Sequence, residues 1–164
     1  VPPDVSDEAY ARHQTEIALL MSHFFVGYLR DIYAHFEGDL ALVIVLAEIA
    51  HHNVAGHFHT HGPSDRAAIH QLDQDEGLRG RLPSCNAYSL AASTGLPRET
   101  IRRKIARLEK LGWVERGERR EVRITPAVGR HFQPDFNLNL LRNLLLTADR
   151  IRAALNHPPD PAAS

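Results

Sequence analysis

Residues 94–114, TGLPRETIRRKIARLEKLGWV, combine a sharp turn with a strongly patterned helix. Gly95 stands where the chain must reverse, a position that favours positive φ. Pro97 suits a helix start, because the first N–H groups of a helix have no acceptor inside it. Apolar and small residues then recur on one face at helical spacing: Ile101, Ile105, Leu108 and Gly112. The stretch predicts a turn followed by a helix with one buried face.

The other face of this helix is cationic, although the whole chain has a formal net charge of only −1. Residues 1–97 hold 5 Lys/Arg and 12 Asp/Glu, whereas residues 98–130 hold 11 and 5. A basic block confined to one segment is typical of a surface that binds a polyanion. A merely solvated helix face is the competing interpretation of such a charge run.

The flanking sequence predicts a winged helix-turn-helix over residues 84–130. Ser84 or Asn86 can cap a short helix before Gly95, and residues 113–125 have the pattern of a β-hairpin with a charged tip. Thr125 and Pro126 then suit the start of a short helix that ends near Gly129. The cationic helix after Gly95 fits the major groove of DNA, where Arg can bind guanine. The hairpin would be a wing that can reach the DNA backbone or the minor groove. The predicted DNA-binding residues are Arg98, Glu99, Thr100, Arg102, Arg103, Arg107, Arg116, Arg119 and Arg120.

Apolar helices are predicted on both sides of this module. Residues 6–36 and 136–155 carry apolar faces at helical spacing. These faces are too wide for a single small domain to bury, and this favours dimerisation. The run from Leu40 to Ala50 indicates a central helix, with a buried strand as the alternative. We therefore predict a mainly α fold with a small β wing. The four segments are 1–52 (helices for core and dimerisation), 53–83 (a His-containing insertion or linker), 84–130 (the winged module) and 131–164 (a dimerisation helix and tail).

Composition narrows the class of protein. The hydrophobic content of 43% and charged content of 24% are ordinary for a globular protein. The one Cys, Cys85, excludes an internal disulfide framework, and no secretory or membrane-spanning stretch is visible, so we expect a cytoplasmic protein without a membrane partner. No phosphate-binding loop, nucleophile motif or metalloprotease helix is present, and we predict that the chain is not an enzyme.

Histidines cluster between His51 and His61. In an extended segment His57, His59 and His61 would share one side, and imidazole binds zinc or nickel well. Three ligands from so short a segment rarely enclose an ion, so a polar loop without a cofactor is the competing interpretation. Glu48, Asp65 or a partner chain would have to complete a Zn or Ni site.

The stretch SCNAYSLAASTGLPRETIRRKIARLEKLGWV resembles bacterial winged helix-turn-helix transcription regulators. The stretch GERREVRITPAVGR, residues 117–130, is similar to the wing and following helix of MarR-type regulators. Two features depart from that family: residues 52–83 form an extended insertion, and the wing is short. The resemblance implies a dimeric regulator that binds double-stranded DNA.

Three functions remain open at this point. The first is a homodimeric DNA-binding regulator, with room for a small-molecule effector between the dimerisation helices and the winged module. The second is an adaptor that uses a winged helix for protein contacts, since a fold does not determine a function. The third is a metal-responsive regulator that uses the segment His51 to His61.

Overall fold

The computed structural model describes residues 5–61, 84–117, 119–132 and 135–156, and for residues 54–61 it describes the backbone alone. The described chain is mainly helical with one small antiparallel sheet, which confirms this part of the predicted fold class. In chain order the elements are α1 (Asp7–His35), α2 (Leu40–His61), α3 (Ala87–Thr94), α4 (Arg98–Lys110), β1 (Val114–Arg116), β2 (Val122–Ile124), α5 (Pro126–Phe132) and α6 (Phe136–Leu155).

The elements form two compact units, one from residues 1–35 and 132–164 and the other from residues 36–131. In the first unit α1 packs along α6. Aromatic rings line this contact, with the Tyr28 and Phe136 centroids 6.5 Å apart and those of His35 and Phe136 4.7 Å apart. The two helices predicted at 6–36 and 136–155 are therefore confirmed, and they pack together within the chain.

The second unit has its core where α2, α3, α4 and β2 meet. The run from Leu40 is a helix, as predicted, and the strand alternative for it is excluded. The most buried large apolar side chains of the second unit come from four different elements. They are Leu42, Val45, Ile49, Leu90, Ile101, Ile105, Leu108 and Val122. Trp113 completes the core between rings of Phe36 and His131, with centroid distances of 5.7 and 4.7 Å.

Two predicted boundaries were wrong. The loop predicted from His51 is helical up to His61, because α2 continues through its polar residues. The short helix predicted to end near Gly129 continues to Phe132, which is buried, so burial of that ring favours the extra turn. The rest of the predicted insertion, residues 62–83, lies outside the described residues.

A large apolar surface of the first unit stays exposed. On α1 the exposed side chains include Leu19, Phe25, Val26, Leu29 and Tyr33. On α6 they are Leu138, Leu141, Leu144, Leu145 and Leu146. Scattered exposed apolar residues are normal, but twelve large ones among the described residues of two neighbouring helices are more than a monomer usually carries. Across the described ranges, we find no helix that is long and apolar enough to cross a membrane.

Candidate nucleic-acid interface

The turn between α3 and α4 is built from local capping interactions. Asn86 caps α3: its side chain accepts hydrogen bonds from the N–H groups of Tyr88 and Ser89, at 2.9 and 3.1 Å. The Ser89 hydroxyl accepts in return from the Asn86 N–H, so a complete capping box starts the helix. Gly95 ends it with φ 71°, the left-handed conformation expected there. These caps set the angle at which α4 leaves the turn.

The buried face of α4 holds three of the four residues that the sequence predicts for it, whereas Gly112 lies after the end of α4, is exposed and has φ 70°. Ile101, Ile105 and Leu108 have at most 2% exposure, and α4 contacts both α2 and α3 through this side. The apolar side of α4 therefore faces the core of its unit. The side chains of Glu99, Arg102 and Arg103 are exposed.

Ion pairs to the turn before α2 hold a second side of α4. Asp39 accepts hydrogen bonds from Lys104 at 2.7 Å and Arg107 at 2.9 Å. Arg107 also bonds Glu37 at 2.8 Å, and Asp39 caps α2 by accepting from the Leu42 N–H at 3.0 Å. Burial alone raises the pKa of Asp39, but these hydrogen bonds and the two nearby cations outweigh it and leave the pKa lowered. This carboxylate joins α4 to the start of α2.

Two residues outside the hairpin, Asn53 and Cys85, bond β2 in addition to its pairing with β1. β1 and β2 are antiparallel, with Val114 opposite Ile124. Asn53, wholly buried on α2, accepts a hydrogen bond from the Ile124 N–H at 2.8 Å and donates to the Val122 carbonyl at 3.4 Å. Cys85 bonds the same edge of β2, the one away from β1, because its carbonyl accepts from the Val122 N–H at 2.7 Å.

The tip of the hairpin presents two arginines to solvent. Arg119 and Arg120 are exposed, and neither forms an ion pair with any residue in the described ranges. Arg120 has φ 62°, a left-handed conformation that disfavours side chains other than Gly, Asn and Asp. The turn is closed by hydrogen bonds from Gly117 to Glu121 and from Arg120 to Gly117, at 2.9 and 3.1 Å. Arg120 therefore places a cation at the tip of the hairpin in a strained backbone conformation.

A cleft of about 490 Å³ opens between α3, α4 and the hairpin. Four arginines line it: Arg102, Arg116, Arg119 and Arg120. Two of the four pair with acids, Arg102 with Glu99 at 3.6 Å and Arg116 with Glu109 at 2.9 Å, and their side chains remain 63% and 37% exposed. Arg103 and Lys110, exposed on α4, have no acidic partner among the described residues. The concave, cationic shape suits a phosphate backbone.

Tyr88 is a residue of this surface that sequence reasoning missed. Its ring is 65% exposed on α3, and the Arg98 guanidinium lies over it, 4.4 Å from the ring centroid. A cation–π contact holds the first residue of α4 against the first turn of α3. Only the packing of the two helices brings positions 88 and 98 together, so spacing along the chain carries no signal for this pair.

Most of the predicted DNA-binding residues lie on the outer side of α4 or on the hairpin, whereas Arg107 lies on another side of α4. Arg98, Glu99, Arg102 and Arg103 lie on α4 away from its buried face, Thr100 is half-buried near the start of α4, and Arg116, Arg119 and Arg120 lie on the hairpin. Arg107 instead bonds Glu37 and Asp39. Its position follows from helical geometry, because it lies one turn after Lys104 and shares that residue's side of α4.

Alternate histidines lie on one side only in an extended segment, and the backbone of the histidine segment is not extended. Since α2 extends to His61, His57, His59 and His61 are helical and the extended-segment interpretation was wrong. Among the residues whose side chains the structure describes, which do not include His57, His59 and His61, no three His, Cys, Asp or Glu side chains come together as a metal site would require. Of the two histidines before this stretch, His51 is exposed and His52 contacts Glu48 at 3.4 Å. Asp65 lies outside the described residues.

Cys85 is a packed residue whose thiol is held protonated. It is 4% exposed, and burial raises its pKa to about 11. Thiolate is the reactive form, so this shift and the lack of access both suppress reaction. We expect labelling by a disulfide reagent at pH 7 to be about 100-fold or more slower in the folded protein than in guanidinium chloride. Equal rates in the two conditions would contradict the burial of this thiol.

Comparison of the chain with protein-family models, curated protein sequences and solved structures gives no significant match. A functional assignment therefore depends on the geometry and chemistry described above.

Proposed function

We propose that the chain is a sequence-specific regulator of transcription that binds double-stranded DNA as a homodimer. In this proposal α3, α4 and the hairpin form a winged helix-turn-helix, and α4 enters the major groove. The observation that carries it is the arginine-lined cleft between α4 and the hairpin, continued by Arg103 and Lys110 on the outer side of α4. Guanidinium groups bind guanine O6 and N7 in the groove and bind phosphate beside it.

Charge distribution favours DNA over a protein partner. The core of a protein–protein interface is depleted in charged residues and enriched in aromatic ones. Here the exposed side of α4 and the hairpin tip carry mostly arginine, with Tyr88 as the one large aromatic ring among the residues that line the cleft. The adaptor function is therefore the less favoured alternative.

A salt titration with random duplex DNA tests the proposal. The logarithm of the association constant should fall linearly with the logarithm of salt concentration, at about 0.9 per phosphate contact. Selection from a random DNA pool should then return a palindrome, with half-sites separated by about one helical turn. A protein that shows no salt-dependent binding to duplex DNA would leave the adaptor function in its place.

Single arginine replacements should separate base recognition from phosphate contact. Arg102→Ala or Arg103→Ala on α4 should each weaken binding to the selected site by about 1–3 kcal/mol and relax base preference. Arg119→Ala or Arg120→Ala at the hairpin tip should weaken binding to all sequences and lower the salt slope by about 1. Fluorescence anisotropy with selected and random duplexes measures both effects.

The matched control for these variants is Arg142→Ala. Arg142 is exposed on α6, in the other unit, so its loss removes the same charge away from the cleft. If all four variants bind as the control does, the side of α4 and the hairpin tip that carry these arginines are not the DNA-binding surface.

A further inference from the structure

An open groove runs along α1 in the first unit. It has a volume of about 1010 Å³ and is lined almost entirely by α1, with Arg150 as the one contribution from α6. Six of its lining residues follow one another at steps of three or four: Arg12, Glu16, Leu19, His23, Val26 and Arg30. They span five turns at 1.5 Å per residue, about 27 Å. The length and the helical spacing fit an α-helix better than a compact small molecule.

Gly27 stands in the wall of this groove, in the interior of a 29-residue helix. Glycine there destabilises a helix by about 1 kcal/mol relative to alanine. A Cβ built at Gly27 would meet no heavy atom of the described residues within 4 Å, so none of them requires glycine at this position. Glycine on a helix surface allows the close approach of another backbone or side chain. Gly27 therefore leaves room in the groove for a side chain of another helix.

We propose that this groove receives α1 of a second copy of the chain, antiparallel, about a two-fold axis at His23. In that register Leu19 lies opposite the partner's Gly27, and Leu20 lies opposite the partner's Val26. The bulk of Leu19 enters the space that glycine leaves, and symmetry makes this contact twice. The inference deepens the proposed homodimer, on which it rests, by assigning the surface and register of its interface.

Charge complementarity supports this register. In it Glu16 lies opposite the partner's Arg30, again twice. Among the described residues Glu16 forms an ion pair with His13 alone, at 3.8 Å, and Arg30 forms none. A parallel pairing would instead place Arg30 opposite the partner's Arg30 and Arg12 opposite the partner's Arg12. Like charges at such positions are destabilising, so the antiparallel arrangement is favoured.

Charge reversal tests the register directly. Glu16→Arg and Arg30→Glu should each raise the dimer dissociation constant about 10-fold at 50 mM salt, because each creates two like-charge contacts. The double variant Glu16→Arg/Arg30→Glu should restore the parent value, since both contacts become attractive again. Sedimentation velocity over a concentration series, without DNA, measures the constants.

Substitution of Gly27 tests the close approach. Gly27→Leu should raise the dissociation constant by about 30-fold or more, since it overfills the same contact twice. The change improves helix propensity, so circular dichroism should show an equally or more stable helix, and unfolding cannot account for dissociation. Gly27→Ala is the matched control: it makes nearly the same gain in propensity with one methyl group, and it should change the constant by less than about 5-fold.

The outcomes separate this inference from the DNA-binding proposal. A stable dimer whose mass is insensitive to Gly27→Leu and to both charge reversals overturns the inference, whatever the protein does with DNA. A monomer at all concentrations overturns it as well. Dimer formation with the expected pattern of loss and rescue supports it, even where random duplex DNA is not bound.

Discussion

Replacing Asn53 with alanine should lower the free energy of unfolding of the second unit by about 3 kcal/mol. The side chain is completely buried, and it holds β2 through the Ile124 N–H at 2.8 Å and the Val122 carbonyl at 3.4 Å. Its removal leaves a buried donor without its partner, which costs about 1–3 kcal/mol, and adds a cavity beside the sheet. Urea unfolding followed by the fluorescence of Trp113, the one tryptophan, reports this unit specifically.

Hydrogen exchange should localise that loss to the hairpin. The amide of Ile124 should exchange about 100-fold faster in Asn53→Ala, because its acceptor is gone and β2 opens more readily. Asn139→Ala, an exposed amide on α6, is the control and should change neither stability nor this exchange rate. If Ile124 keeps its protection in Asn53→Ala, the hairpin does not depend on α2 in the way described.

The Asn53 contact is also a feature that could not be predicted from the sequence. Its two hydrogen bonds join residues 69 and 71 positions apart, and no local pattern encodes such a pair. The segment from Asn53 to His61 contains five histidine, glycine and asparagine residues out of nine, which favours a loop by propensity, yet α2 continues to His61. Propensity is a weak prior that tertiary packing overrides.

Local signals, by contrast, were sufficient for most of the candidate interface. The start of α4 beside Pro97, the burial of its three large apolar residues and the left-handed Gly95 follow from helical spacing and turn chemistry, and the structure confirms all three. Helical spacing alone did not show which cations on α4 are exposed. Asp39 decides that for Lys104 and Arg107, and it comes from a turn more than 60 positions earlier. The same holds for Tyr88 under Arg98, where the contact depends on the angle between two helices.

The second large effect is expected at Asp39. Asp39→Asn should lower the free energy of unfolding by about 3 kcal/mol at pH 7, because it leaves Lys104 and Arg107 without their shared carboxylate. The side chains of Asp39 and Lys104 are 13% and 18% exposed, so solvent screens this pair less than a surface pair. Asparagine still offers an oxygen to the Leu42 N–H, so the start of α2 is retained and the charge is the quantity tested.

The dependence of this effect on pH follows from the lowered pKa of Asp39. Burial acts to raise that pKa, and the hydrogen bonds from Lys104 and Leu42 with the two cations outweigh it. A carboxyl group whose pKa is lower folded than unfolded contributes stability above its unfolded pKa and loses it as the pH falls. The difference between parent and Asp39→Asn should therefore be full at pH 6–7 and shrink progressively below about pH 4.

A surface pair provides the contrast that makes the Asp39 result interpretable. Asp149 contacts Arg152 at 2.6 Å, a shorter distance than either contact of Asp39, but both side chains are at least 65% exposed. Asp149→Asn should change stability by less than about 0.5 kcal/mol at any pH. The Asp39→Asn variant should also bind random duplex DNA more weakly, since α4 loses its connection to α2 while every cleft arginine remains. If Asp39→Asn behaves like Asp149→Asn, or if its deficit persists unchanged at pH 3, the carboxylate does not hold α4 in place and the orientation of the cationic face must come from the apolar core alone.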